Sequence, residues 1–216
     1  MPTFVLVHGG RHSAWCWHLV QEALQARGLE SVAPDLSLEN IDQDAAMVRD
    51  LTDEIEDDVI LVGHSRGGRV ISVSAIGATN VARLIFLAAN VNEPEVSVPG
   101  GPRPTEYRRL AQANSVLTAA QARQHLYHDV PDKVADEAIR RLRPSPPNTR
   151  AMTCDAPMAW HKLPTTYIVS SHDRCIDPDD QREMAQQMDE TFEIPTGHTA
   201  FLSQPEVVAG ILARYA

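Results

Sequence analysis

The stretch VILVGHSRGGRV, Val59 to Val70, limits what this chain can fold into more than any other. Val59-Ile60-Leu61-Val62 is an unbroken aliphatic run, which suits a strand covered on both faces, as in a parallel sheet. After Arg66, the residues Val70, Ile71, Val73, Ala75 and Ile76 recur at roughly helical spacing. A strand therefore meets a helix with almost no loop between them. So sharp a turn forces its central residue into a strained conformation. The residues two before and two after must then be small, because strand and helix pass close by. Gly63-His64-Ser65-Arg66-Gly67 has that form, G-x-S-x-G. It leaves the Ser65 hydroxyl exposed at the turn, with the first amides of the helix aimed at whatever the hydroxyl attacks. A helix-capping serine would not need glycine on both flanks.

The rest of the chain alternates in the same way. Strand-length apolar runs occur at Thr3–His8, Ser31–Asp35, Val59–His64, Ala82–Ala89, Thr165–Ser171 and Thr191–Pro195. Helical patterns lie between them: about Ala14 to Arg27, closed by Gly28, and Ala45 to Glu56. A last helix opens at Ser203-Gln204-Pro205-Glu206 with an S-x-x-E capping pattern. This βαβα order predicts an α/β fold: a mostly parallel six-stranded sheet with helices on both faces, as one domain over residues 1–216. One interval breaks the rhythm. Between strands four and five, at about 91–163, no strand is predicted. Helical stretches at Tyr107–Ala113, Thr118–His128 and Asp132–Leu142 lie between the loop NVNEPEVSVPGGPRPTE and the proline cluster RPSPPN. The interval reads as a small helical lid over the carboxyl ends of the strands, where ligands of open α/β sheets bind.

A net charge of −10 argues against nucleic acid or an anionic membrane as partner. No apolar stretch is long enough to span a bilayer. The chain opens directly on a strand, MPTFVLVHG, with no basic stretch ahead of it, so a cytoplasmic location is the expectation. Cys16, Cys154 and Cys175 are too scattered for a disulfide framework or zinc spacing. His8 and His12 follow a strand in a loop rather than sharing a helix face, so no metal site is expected there.

A serine hydroxyl needs a base, usually an oriented histidine. Among the nine histidines, His198 in IPTGHTAF lies just past the last strand, at the edge of the sheet where Ser65 belongs. His64 sits within the turn and should point away from the serine, and His125, His128 and His161 fall in the lid interval. The base in turn needs a carboxylate, and Asp173 directly follows the fifth strand. Asp177 has another explanation: it precedes Pro178, as an N-cap precedes N1 of a helix. The oxyanion needs backbone donors. Candidates are the amides of Arg66, next to the nucleophile, and Gly10, in the loop HGGRH after the first strand.

These parts together resemble the α/β-hydrolase fold and, more narrowly, the plant methylesterase and hydroxynitrile lyase family with its bacterial esterase relatives. The resemblance rests on FVLVHGGRHSAWCW, LVGHSRGG, FLAA, YIVSSHDRCIDPDDQ and GHTAFLSQP, and on the chain order Ser65, Asp173, His198. It implies a Ser-His-Asp hydrolase of a small carboxylic ester, such as a methyl ester, thioester or lactone. It implies no cofactor; a small-molecule ester is the expected partner, and a monomer or homodimer the expected state. Gly9, His12 and Trp15 fall where the family has them and are candidates for substrate contact. Trp160 and Tyr127 are further candidates for apolar lining. The lyases carry threonine after the first-strand histidine and lysine after the catalytic histidine, where this chain has Gly9 and Thr199. That points to an esterase-type member, against the alternative of a lyase, cyclase or decarboxylase on the same scaffold. The Arg66 side chain is either solvated or ion-paired under the lid, or it meets an acidic group of the substrate.

Overall fold

The computed structural model describes residues 1–91, 102–113, 116–144 and 157–216. Six strands form one sheet: β1 (Thr3–Val7), β2 (Ser31–Val32), β3 (Val59–His64), β4 (Val81–Leu87), β5 (Thr165–Ser170) and β6 (Glu190–Ile194). Their order is β2-β1-β3-β4-β5-β6, and every pairing is parallel. The aliphatic run of β3 splits by alternation. Ile60 and Val62 join one buried cluster, and Val59 and Leu61 join the other. An uninterrupted apolar strand is therefore what a sheet covered on both faces requires.

The helices before the lid interval are α1 (His18–Gln25), α2 (Ile41–Asp53) and α3 (Gly67–Ser74). Within it lie α4 (Glu106–Ala113), α5 (Ala119–His125) and α6 (Asp132–Arg140), and after it α7 (Pro178–Ala185), α8 (Ala200–Ser203) and α9 (Pro205–Leu212). One face of the sheet packs against α1 and α9, and α2, α3 and α7 supply buried residues to the other. The lid residues Ala122, Leu126, Tyr127, Val130, Ala135 and Ala138 join the α1 and α9 side of the core. Most of the predicted loop before α4 (92–101), most of the proline cluster after α6, and Cys154 lie outside the described residues.

Several boundaries differ from expectation for physical reasons. The segment Ser31–Asp35 pairs only through Ser31 and Val32. The first helix begins as a 3-10 turn, Ala14–Trp17, before α1. Gly28 ends α1 with φ +73, and the amides of Gly28 and Leu29 turn back to the carbonyls of Gln25 and Leu24. The S-x-x-E pattern at Ser203 does not cap α9. Ser203 ends the separate helix α8, its buried hydroxyl has no hydrogen-bond partner among the described residues, and Gln204 takes the N-cap position before Pro205. Burial of Ala200, Phe201 and Leu202 sets that break, and it overrides the local pattern.

Because all the strands run the same way, their carboxyl ends form one edge. His8 follows β1 there, Ser65 follows β3, Asp173 follows β5 and His198 follows β6.

Candidate active site

Ser65 takes φ +52, while none of the three glycines beside it has a positive φ. The serine thus carries the strain, and the glycines supply room. A Cβ on Gly63 would lie 2.7 Å from the Gly67 carbonyl oxygen, and one on Gly68 would lie 2.7 Å from the Asn90 carbonyl oxygen. A Cβ on Gly67 would run into the Val7 carbonyl. The Ser65 amide donates to the Leu87 carbonyl (3.2 Å), and its carbonyl accepts from Gly68 (3.1 Å) and Asn90 (3.0 Å). Ser65 itself is partly exposed, and among the described residues its hydroxyl makes no hydrogen bond.

His198 is buried, and its Nδ1 lies 2.7 Å from Asp173 Oδ2. A carboxylate only accepts, so Nδ1 donates to it and Nε2 is the nitrogen left for other partners. Asp173 is held from every side. Oδ1 accepts from the amides of Cys175 (2.6 Å) and Ile176 (3.1 Å), and Oδ2 accepts a second bond from Gln181 Nε2 (2.8 Å). Gln181 is fully buried on α7, and its Oε1 accepts from the Ser170 amide at 3.0 Å. That bond fixes which end of the amide faces Asp173. Asp177 lies outside this cluster: it caps α7, accepting from the Asp179 amide (2.9 Å) with Pro178 at N1.

The first-strand loop lies against the turn. A Cβ on Gly9 would come within 2.8 Å of His64 Nδ1 and 2.9 Å of Ser65 Cβ, so only glycine fits. Two imidazoles hold this loop. His8 Nδ1 donates to the Gly9 carbonyl (2.8 Å), and His8 Nε2 accepts from the Leu36 amide (3.0 Å). His12 Nδ1 donates to the Gly10 carbonyl (3.0 Å), and His12 Nε2 accepts from the Tyr127 hydroxyl (3.0 Å). All four ring nitrogens are thus engaged by the protein, which leaves neither histidine a lone pair for a metal. Burial lowers the pKa of His8, and it brings that of His12 down to about 3. His64 is also buried and neutral. Its Nε2 donates to the His198 carbonyl (2.9 Å), and its ring lies 4.6 Å from the ring of His198. Burial first, and then neighbouring His198, drive its pKa well down.

The remaining candidates separate. Trp15 is partly exposed, stacked on His18 at 4.5 Å with the Arg141 guanidinium 4.8 Å from its ring centre, so it ties the 3-10 turn to the end of α6. Trp160 does not line the site. It precedes β5, at the opposite edge of the sheet, and is buried with Met158 and Ala159 in the α2 and α3 core. The His161 ring lies tilted against it, with centroids 3.9 Å apart, and it too precedes β5. The Arg66 side chain is ion-paired. It turns back to Asp44 Oδ2 on α2 at 2.6 Å, with Asp44 fully buried. Burial lowers the Arg66 pKa, and Asp44 opposes that. Asp44 Oδ1 accepts from the Ser37 amide and hydroxyl, both at 2.8 Å. Thr199 is buried, and its hydroxyl donates to the Leu126 carbonyl in the lid interval at 2.7 Å.

Sequence reading missed Gln181 and Asp44. Each stands in an acidic, helix-forming stretch where nothing local marks a buried side chain. Among the described residues, the one group close enough to hold a metal is Asp173, Cys175 and His198. Asp173 and His198 are bonded to each other there, and Cys175 Sγ donates to the His125 carbonyl at 3.3 Å. No described helix is long and apolar enough to cross a membrane.

Residues 4–211 match the sequence profile of the Alpha/beta hydrolase family. Alpha/beta hydrolase nvfD of Aspergillus novofumigatus is 29% identical over an alignment spanning 100% of this chain and 96% of its own length. Methylesterase 17 of Arabidopsis thaliana is 24% identical, over 100% of this chain and 91% of its own. In fold, an extracellular alpha/beta-hydrolase from a Paenibacillus species superposes with a TM-score of 0.82 at 19% identity, covering 99% of this chain and 98% of that one.

Proposed function

The chain belongs to the alpha/beta hydrolase family, and from that premise we propose that it is a serine hydrolase of small carboxylic esters, methyl esters foremost. The observation that carries this reading is the His198–Asp173 pair, 2.7 Å apart, at the sheet edge where Ser65 is held at φ +52. In the proposed reaction Ser65 Oγ attacks the ester carbonyl carbon while His198 Nε2 takes the hydroxyl proton. The alcohol leaves with that proton and the acyl group stays on Ser65. Water then attacks the acyl-enzyme, His198 takes and returns a proton as before, and the free acid departs. Asp173 holds the imidazole in the tautomer this requires. The amides of Arg66 and Gly10 are the proposed donors to the oxyanion.

Two features favour hydrolysis over the lyase alternative. Threonine after the first-strand histidine would place its Cβ against His64 and Ser65, where Gly9 leaves none. Thr199, at the lyase lysine position, spends its hydroxyl on Leu126. The methylesterase among the relatives supports a methyl ester as the first substrate to try.

The test is covalent labelling with a fluorophosphonate beside turnover of p-nitrophenyl acetate. Ser65 should be the labelled residue, and Ser65→Ala should lose on the order of 10⁴–10⁶ in kcat. Mandelonitrile should release no cyanide above background. Labelling or turnover that persists in Ser65→Ala would sink the proposal.

A further inference from the structure

We infer that Tyr127 and His12 are positioning residues that brace the Gly10 peptide of the oxyanion loop from the lid. This rests on the esterase reading above. Gly10 has no Cβ, so its backbone is less restrained than that of a residue with a side chain. Two peptide planes flank it, and both are trans. The first carries the Gly9 carbonyl on one side and the Gly10 N–H on the other. His8 holds that carbonyl, and the scaffold holds His8 through the Leu36 amide. The second plane carries the Gly10 carbonyl, which accepts from His12 Nδ1 at 3.0 Å. The Gly10 N–H lies in the first plane, and holding the second as well sets φ and ψ of Gly10, so that the first plane is kept from turning against the second.

The second brace is anchored differently from the first. A carbonyl oxygen can only accept, so His12 Nδ1 carries the proton and Nε2 must accept. The donor to Nε2 is the Tyr127 hydroxyl, 115 residues away in sequence and just after α5. Tyr127 is fully buried, and its ring meets that of His12 edge-on at 6.0 Å. The same stretch of lid is fastened near His198 by Thr199 on the Leu126 carbonyl. A second link joins lid to loop where the Arg143 amide donates to the Arg11 carbonyl at 2.8 Å, with Arg11 held at φ +67. The lid therefore supports the oxyanion loop, and His12 acts on Gly10 without touching the substrate.

The experiment compares Tyr127→Phe, His12→Asn, their double variant and Ser65→Ala with the parent chain. The readouts are p-nitrophenyl acetate kinetics, inhibition by phenylboronic acid and thermal melting. Tyr127→Phe removes one hydroxyl. Losing a whole oxyanion donor costs about 10²–10³ in kcat, so loosening one brace should cost on the order of tenfold. Phenylboronic acid, whose adduct with Ser65 would use the same amides, should weaken by a similar factor while KM stays within about twofold. In His12→Asn, the side-chain amide still donates to the Gly10 carbonyl but no longer meets Tyr127. It should lose about as much as Tyr127→Phe, and adding Tyr127→Phe should then cost nothing further. A Tyr127→Phe enzyme with kcat and boronate inhibition within about twofold of the parent would overturn the brace. So would losses confined to KM, or losses additive with His12→Asn. If Ser65→Ala keeps its turnover, the esterase reading falls and the brace with it. If Ser65→Ala is dead and Tyr127→Phe is normal, the brace alone falls.

Discussion

Asp173 Oδ2 takes two hydrogen bonds, from His198 Nδ1 and Gln181 Nε2, while Oδ1 takes two backbone amides. Four donors around one carboxylate leave it no freedom to turn, and it is nearly buried. Asp173→Asn should therefore fold normally and lose roughly 10⁴ in kcat, because the amide no longer enforces the tautomer that leaves Nε2 unprotonated. A melting curve and an initial rate check both halves. Asp177→Ala should do the opposite: about 0.5–2 kcal/mol of stability lost with the cap on the Asp179 amide, and most turnover kept. A dead Asp177→Ala beside an active Asp173→Asn would exchange the two roles. Gln181→Met should cost more stability than Asp177→Ala, since it strands the buried Ser170 amide as well as removing a donor to Asp173. Each orphaned group of this kind costs about 1–3 kcal/mol.

At the level of elements, the turn from β3 to α3 is clamped from below as well as shaped from within. The glycines let α3 start on top of β1, and the Arg66 side chain then reaches back to Asp44 on α2. Asp44 also gathers Ser37 and the Leu38 amide, so a single carboxylate joins α2, α3 and the loop after β2. A buried pair of this kind contributes little net stability when formed, but losing Asp44 takes the carboxylate from a buried guanidinium. Asp44→Ala should cost about 3–5 kcal/mol, and combining it with Arg66→Met should recover much of that loss. Chemical denaturation of the two variants checks this. A double variant no more stable than Asp44→Ala alone would mean that packing, rather than the loss of the carboxylate, sets the cost.

Over the whole molecule, the buried histidines set the acid limit. His8, His12 and His64 are all nearly inaccessible, and burial lowers the pKa of each from the ordinary 6.5, to about 3 for His12. Above about pH 6.5 they are neutral both folded and unfolded, so stability is complete. As pH falls through 6.5, the unfolded chain takes up protons that the folded chain refuses, and for His12 this continues down to about 3. For His12 the loss approaches about 1.4 kcal/mol per pH unit across that window, and His8 and His64 add to it in the same direction. Against a typical total of about 5–15 kcal/mol, this is a substantial loss, so the protein should become steadily less stable as pH falls below about 6.5. Melting temperatures should already decline between pH 7 and pH 5. A flat profile over that range would contradict three neutral, buried imidazoles.

What the sequence determined by itself is what backbone sterics impose locally. Glycines beside a serine between an aliphatic run and a helical pattern admit one geometry. Aspartate before proline starts a helix, and parallel strands in alternation with helices bring their carboxyl ends to one edge. From these, the sheet, the turn at Ser65, the cap at Asp177 and the meeting of Asp173 with His198 were all legible. The S-x-x-E pattern at Ser203 failed because burial of Phe201 and Leu202 gives the chain a second short helix there. Gln181 on Asp173, Asp44 on Arg66 and Tyr127 on His12 were decided only by the tertiary structure. A buried polar side chain must find a partner, but burial depends on which faces the folded sheet brings together. No spacing along the chain encodes a contact between residues 115 positions apart.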